Sequence, residues 1–271
     1  MADDKPMTLL QHLDELRKRL LRSLLVLLVC VFLAFSFGYE YQRDFFRAPL
    51  DTLDPNTANL FARYNPIAKW VRPILAECKV AVPVKLHALT VMETFVVKFK
   101  MALVVGVVVA APFVLYQLWA FVSAGLLVRE RGFILKYLPL SVCLFFAGVA
   151  FAYLLAVPLA LAYLLGIDPE VDLVLSYNAY FSLVLWMVAI MGVAFEIPLV
   201  VLALVKIGIV KAATLHRTRR YAILIIFIVA AVITPTPDAF NLCMVAIPMI
   251  CLYEVGLWLA RLSEKDSERN P

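Results

Sequence analysis

A single carboxylate, Glu196, interrupts an otherwise uncharged apolar run from Phe181 to Val205. About 20 helical residues of this kind span the roughly 30 Å hydrocarbon core of a bilayer. Placing a carboxylate at such a depth costs on the order of 3 kcal/mol on insertion scales. A residue that costly to insert faces protein or a water-filled cavity. The run therefore sets the fold class, an all-α membrane protein, and marks a first candidate site. Composition agrees: 64% of the residues are hydrophobic and the mean hydropathy is +0.91, against roughly 45–50% apolar content in soluble domains.

Six apolar segments predict six transmembrane helices, near 20–38, 101–124, 137–161, 180–205, 221–233 and 241–260. The 271 residues then form one six-span membrane domain, 1–271. The net charge of +5 reflects basic residues clustered beside apolar runs and implies topology, not a nucleic-acid partner. Lys5, Arg17, Lys18 and Arg19 precede the first segment, Arg129, Arg131 and Lys136 follow the second, and five Lys or Arg lie at 206–220. The tail adds Arg261, Lys265 and Arg269, whereas Asp168, Glu170 and Asp172 stand in a loop without Lys or Arg. The positive-inside rule places both termini in the cytoplasm. The long first outer loop, about 39–97, holds seven basic residues between Arg43 and Lys85, but its length puts it where that rule weakens. The first apolar run is longer than a signal-peptide core and reads as a retained span.

The fifth segment, Tyr221–Ile233, has 13 residues, about 20 Å of helix, and the sixth is expected to be short as well. Pro112, Pro139, Pro158, Pro198 and Pro248 fall in the other spans after the first. Interior prolines remove a backbone hydrogen bond and kink a helix, so kinked helices forming a cupped bundle are expected. Cys30, Cys143, Cys243 and Cys251 lie in apolar runs and are expected to pack as small hydrophobes. Only Cys78 sits in a polar loop, so no intrachain disulfide is expected.

Ahead of the first span, Thr8 and Gln11 fit a capping box. The Leu9, Leu13, Leu16, Leu20 spacing predicts an amphipathic cytoplasmic helix over about 8–19. Glu15 with Arg19, and Asp14 with Lys18, stand at i,i+4, where ion pairs form on a helix surface.

The block His12-Leu13-Asp14-Glu15-Leu16-Arg17-Lys18-Arg19-Leu20 resembles the N-terminal signature of the TatC family, the polytopic receptor subunit of the twin-arginine protein translocase. The resemblance continues in order through Ala48-Pro49-Leu50, Glu93-Thr94-Phe95, Tyr116 to Phe121, Glu130-Arg131, Ala150 to Tyr153, Phe195-Glu196-Ile197-Pro198, Pro237-Asp238, Ile247-Pro248 and Tyr253-Glu254. The sequence departs from the pattern at Ala124, where a proline is expected, and in a first outer loop extended at about 54–85.

What the resemblance implies is a non-enzymatic, multi-pass component of the cytoplasmic (inner) membrane of a prokaryote. It binds signal peptides carrying two consecutive arginines on folded precursors and docks single-span TatA- and TatB-type subunits. Self-association, contact with membrane lipids and transport driven by the proton-motive force without a cofactor are further implications. Glu15 and Glu130, with Arg17 and Phe121, are implied in signal-peptide binding. Guanidinium presents a planar fork that a carboxylate accepts bidentately. For Glu130, the alternative is a local pair with Arg129 or Arg131. Glu196, Tyr153, Asp238 and Glu254 are implied at partner-docking or intramembrane polar positions.

Each of these also has an ordinary structural reading. Glu196 can bond to a neighbouring helix, Asp238 can cap the sixth span, and Glu254 can serve as a structural acid near Arg261. Phe121 can be a core or interfacial aromatic, and Pro49 a loop breaker. If Glu196 docks a partner helix, its spacing predicts Leu185, Val188, Gly192, Leu199 and Ala203 on the docking face. The competing reading is a proton- or ion-coupled small-molecule transporter using Glu196 as carrier, which would favour more ionisable groups at depth and internal symmetry. Enzymatic reading is weak, because HExxH and GxSxG motifs are both absent, and no metal-ligand cluster is apparent.

Overall fold

The computed structural model describes residues 9–51, 86–124, 137–167, 174–233 and 238–269. Its first helix, α1 (Leu9–Ser36), is continuous. No glycine or proline interrupts it, so the expected amphipathic helix over 8–19 does not lie apart along a surface but forms the first turns of the span. Gly38, at φ 73°, takes the left-handed conformation that turns the chain out of α1. There α2 (Tyr39–Asp51) begins, so the stretch expected as loop from residue 39 starts as a helix. Pro49 sits inside its last turns, buried, and is not a loop breaker.

Beyond a two-residue strand, β1 (Leu86–His87), α3 runs from Val91 to Ala124. It starts about ten residues before the apolar run that predicted it, because Lys98 and Lys100 are satisfied within the fold. The Lys98 ammonium lies 4.6 Å from the Phe35 ring centroid and 5.4 Å from that of Tyr39. Lys100 donates to Asn178 Oδ1 (2.9 Å) and Ser182 Oγ (2.8 Å). Such contacts let a lysine stem cover apolar surface while its head keeps partners.

The third span joins α4 (Leu138–Phe151), a π turn (Ala152–Ala156) and α5 (Val157–Gly166). Pro158 enters just after that wider turn, which accommodates the hydrogen bond a proline cannot make. The strand β2 (Leu175–Ser176) pairs parallel with β1, Leu86 opposite Leu175, and Ser176 Oγ accepts from Ala179 N at the start of α6 (Tyr177–Ala194). The helix breaks at Phe195–Glu196 and resumes as α7 (Ile197–Lys206) with Pro198 in its first turn. Pro139 likewise lies in a first turn, where its missing N–H costs nothing, and Pro112 and Pro248 stay within unbroken helices. Hydrogen-bond irregularity therefore accompanies only Pro158 and Pro198 of the five.

After Gly208 (φ 77°) come α8 (Ala212–Arg217), α9 (Arg219–Ile233) and α10 (Ala239–Arg269). At 15 residues, α9 is short as expected. The last helix is not: α10 has 31 residues, 26 of them in an apolar span. Among the described residues, five helical spans are long and apolar enough to cross a membrane: α1, α3, α4 joined to α5, α6 joined to α7, and α10.

α3, α4, α6, α7 and α10 supply much of one core, with Met101, Val184, Met191, Leu199 and Leu257 nearly or fully buried. Glycines set the closest approaches. A Cβ on Gly148 would lie 2.4 Å from the Met191 carbonyl oxygen, and one on Gly256 would lie 2.8 Å from Pro198 Cα. α1 packs along α3, where a Cβ on Gly106 would come 2.8 Å from Val31 Cα. Cys30, Cys143, Cys243 and Cys251 are free thiols; Cys143 and Cys251 are exposed rather than packed inside. Cys78 lies outside the described residues.

Candidate functional site

Two polar clusters meet at the end of the bundle where α1 starts and α3 finishes. In the first, Arg19 Nη2 and Nε donate to Glu15 Oε1 at 2.5 and 3.0 Å. Its Nη1 donates to Gln117 Oε1 on α3 at 3.3 Å. The i,i+4 pairing expected of Glu15 is thus present, and it is tied through Arg19 to a buried glutamine on the next helix. Both Glu15 contacts fall on Oε1, so Oε2 takes part in neither. Phe121 lies one turn beyond Gln117 on α3 and is half-buried. Arg17 is exposed. Glu130 lies outside the described residues.

The second cluster surrounds Glu196. Pro198 lacks an N–H and would clash with the carbonyl four residues back, which opens the helix just before it. Glu196 therefore occupies the N-cap of α7, with its backbone carbonyl accepting from Leu199 N and Val200 N at 3.0 Å. Its side chain points to a polar relay: Trp119 Nε1 on α3 donates to Ser141 Oγ on α4 (3.0 Å), and Ser141 Oγ donates to Glu196 Oε2 (2.6 Å). Glu196 Oε1 is buried and meets no hydrogen-bond partner among the described residues. Ten residues separate Glu196 from the end of α7, about 15 Å of helix, so the acid lies toward the Glu15 end of its span.

The face predicted for partner docking is an internal one. Leu185, Val188, Gly192 and Leu199 are buried against the chain's own core, and a Cβ on Gly192 would touch Phe145 at 3.0 Å. Trp186, Val193 and Val200 form the outward stripe instead, at spacings of seven. Gly192 serves intramolecular packing.

The other expected members of the Glu196 group are elsewhere. Tyr153 follows Ser141 by 12 residues, about 18 Å along the helix. Its buried hydroxyl donates to the Phe45 carbonyl at 2.5 Å while its ring stacks on Phe45, centroids 4.4 Å apart. Tyr180 donates to the Phe46 carbonyl at 2.8 Å, so the two tyrosines fasten α2 to the bundle. Asp238 caps α10, its Oδ1 accepting from Asn241 N at 2.7 Å. Glu254 pairs with Arg219 at 3.2 Å, a partner from α9 in place of the expected Arg261. Among the described residues, no three His, Cys, Asp or Glu side chains are grouped to hold a metal.

Sequence reasoning missed Trp119 and Ser141 as parts of the Glu196 site. One signal was available: Ser141 is a small polar residue inside an apolar run, a type that commonly makes interhelical hydrogen bonds in membranes.

Residues 11–248 match a family model described as Sec-independent protein translocase protein (TatC). The chain is 34% identical over 270 residues to the protein of that name from Koribacter versatilis, covering 98% of this chain and 89% of the relative. It is 33% identical to the Aquifex aeolicus protein, covering 96% and 97%, and 31% identical to TatCy of Bacillus subtilis, covering 97% and 92%. A crystal structure titled as the twin-arginine translocase receptor TatC superposes with a TM-score of 0.75 at 32% identity, covering 93% of this chain and 99% of that one. With its long apolar helices and these relatives, the chain belongs to the TatC family, as a multi-pass inner-membrane component of the prokaryotic twin-arginine protein translocase and not an enzyme.

Proposed function

We propose that this chain binds twin-arginine signal peptides at the end of the bundle that carries Glu15. The observation that carries this reading is the held carboxylate. Arg19, itself tied to the buried Gln117, fixes Glu15 while occupying only Oε1. An incoming guanidinium can take Oε2 without first breaking that pair, and a charged hydrogen bond of this kind contributes about 1.5–3 kcal/mol. Glu130, on the same cytoplasmic side by the charge pattern, receives the second arginine, and Phe121 offers an aromatic edge beside Gln117. Arg17, two residues from Glu15, supplies exposed charge.

Docking of single-span TatA- and TatB-type subunits is assigned to the half-buried Glu196, whose Oε1 has no hydrogen-bond partner among the described residues. The outward stripe of Trp186, Val193 and Val200 is the apolar surface such a helix would cover. In this reading α9 is a sixth, short span, both termini are cytoplasmic, the bundle is cupped, copies of the chain associate in the complex, and the proton-motive force drives transport without a cofactor.

The test is binding of a labelled RR signal peptide, with its KK counterpart as reference. Glu15→Gln and Glu130→Gln should each weaken RR binding about 10- to 150-fold, the equivalent of that hydrogen-bond energy. Unchanged binding in folded single variants would return Glu15 to a purely structural ion pair.

A further inference from the structure

At the opposite end of the bundle, a cavity of about 400 Å³ is lined by Tyr39, Arg43, Arg47, Thr94, Tyr177 and Phe181, with Leu86 and Ala88 at its edge. Two stripes face each other across it. Tyr39, Arg43 and Arg47 follow one another at four-residue spacing along α2, and Tyr177 and Phe181 do the same on α6, so each set shares one helix face. The Tyr39 and Tyr177 hydroxyls meet at 3.2 Å and join the two walls.

Unused guanidinium donors suit the cavity to an anion. Arg43 commits Nε and Nη2 to Asp44 (3.1 Å), and Arg47 commits Nε to Asp51 (3.2 Å). A guanidinium carries five N–H donors, so donors remain on both. The Lys98 ammonium stands 5.4 Å from the Tyr39 ring, and the nearby Glu93 carboxylate accepts from Leu89 N at 3.0 Å. Tyr177 is the first residue of the 18-residue α6, whose positive dipole end therefore adjoins the cavity.

Position narrows the ligand. Thr94 belongs to α3 and Phe181 to the joined α6–α7 span, both long and apolar enough to cross a membrane, while Arg43 and Arg47 ride on the polar α2. The cavity thus straddles the level where apolar helix gives way to charged cap, and tyrosines mark the membrane interface. Headgroup phosphates lie at that level. From the facing stripes and this placement we infer that the cavity binds the phosphodiester of an anionic phospholipid headgroup, held in the fork of Arg43 and Arg47. The inference rests on α3 and α6 being membrane spans and is independent of signal-peptide binding at Glu15.

The test uses the full chain in detergent, with dioctanoyl phosphatidylglycerol as probe and native mass spectrometry as readout. Dioctanoyl phosphatidylcholine and inorganic phosphate serve as comparisons. The expected result is retained phosphatidylglycerol in the wild-type chain and at least tenfold weaker retention in Arg43→Gln/Arg47→Gln. Ala88→Trp, which fills the cavity edge without removing charge, should weaken retention similarly and stands in if the double variant does not fold. Lys211→Gln, at the other end of the bundle, should match wild type. Wild-type affinity in Ala88→Trp or in a folded double variant would overturn the proposal. So would equal retention of phosphatidylcholine, and displacement by inorganic phosphate at equal concentration would overturn the lipid as the source of the anion.

Discussion

Ser141→Ala isolates the relay that holds Glu196. The substitution removes one oxygen and with it two hydrogen bonds, from Trp119 Nε1 at 3.0 Å and to Glu196 Oε2 at 2.6 Å. Ser141 is 0% exposed, so water has no ready route to replace them. Hydrogen bonds between membrane helices average about 0.6 kcal/mol and reach about 1.7, so two of them predict a loss of about 1–3 kcal/mol. The assay is equilibrium unfolding in mixed micelles, run as a cycle of Ser141→Ala, Glu196→Ala and the double variant. The Glu196 bond is counted in both single variants, so the double should lose less than their sum, by about the value of that one bond. Glu196→Gln keeps an amide oxygen that can still accept from Ser141 and should be the mildest change. A Ser141→Ala chain as stable as wild type, or strict additivity in the cycle, would show that the relay does not hold the acid.

Gly148→Leu places side-chain atoms where even a Cβ lies 2.4 Å from the Met191 carbonyl oxygen; it should destabilise by several kcal/mol or abolish folding, seen as loss of a monodisperse size-exclusion peak. Gly106→Leu should cost less on the same assay, because α1 packs on one helix and can shift outward. Tyr153→Phe keeps the Phe45 stacking but drops the bond to the Phe45 carbonyl, and should speed protease cleavage within α2 while leaving signal-peptide binding unchanged. For topology, single cysteines in a Cys-free chain should react with an external impermeant thiol reagent at Asp172 and Asp238 but not at Glu130 or Lys211.

Hydropathy made the long spans legible, since each is a run that only a bilayer-crossing or deeply buried helix accommodates. Local pairing was legible where both partners lie within one turn, as with Glu15 and Arg19 or the Asp238 cap. What escaped was satisfied by residues distant in sequence. Lys98 and Lys100 ended the apolar scan of α3 too early because their partners, Phe35, Tyr39, Asn178 and Ser182, come from other helices. α2 read as loop because its amphipathic pattern is short and polar and carries Pro49, while the tyrosines that anchor it lie over 100 residues away. Arg219, not the sequence-near Arg261, meets Glu254 for the same reason.

The block from Tyr116 to Phe121 shows how the two halves of the candidate site depend on one short piece of chain. Gln117 and Trp119 are two residues apart, about 3 Å of rise and about 200° around the helix axis. Gln117 therefore reaches back to Arg19 and Glu15 on α1, while Trp119 reaches forward to Ser141 and Glu196. Both side chains are buried, at 6% and 5% exposure, so their rotamers are held by packing on opposite sides of α3. One rigid helical turn thus sets the separation between the carboxylate assigned to the signal peptide and the carboxylate assigned to the partner helix. A motif read only for apolar content records an aromatic stretch; its Gln117 and Trp119 polar atoms fix the geometry of the site.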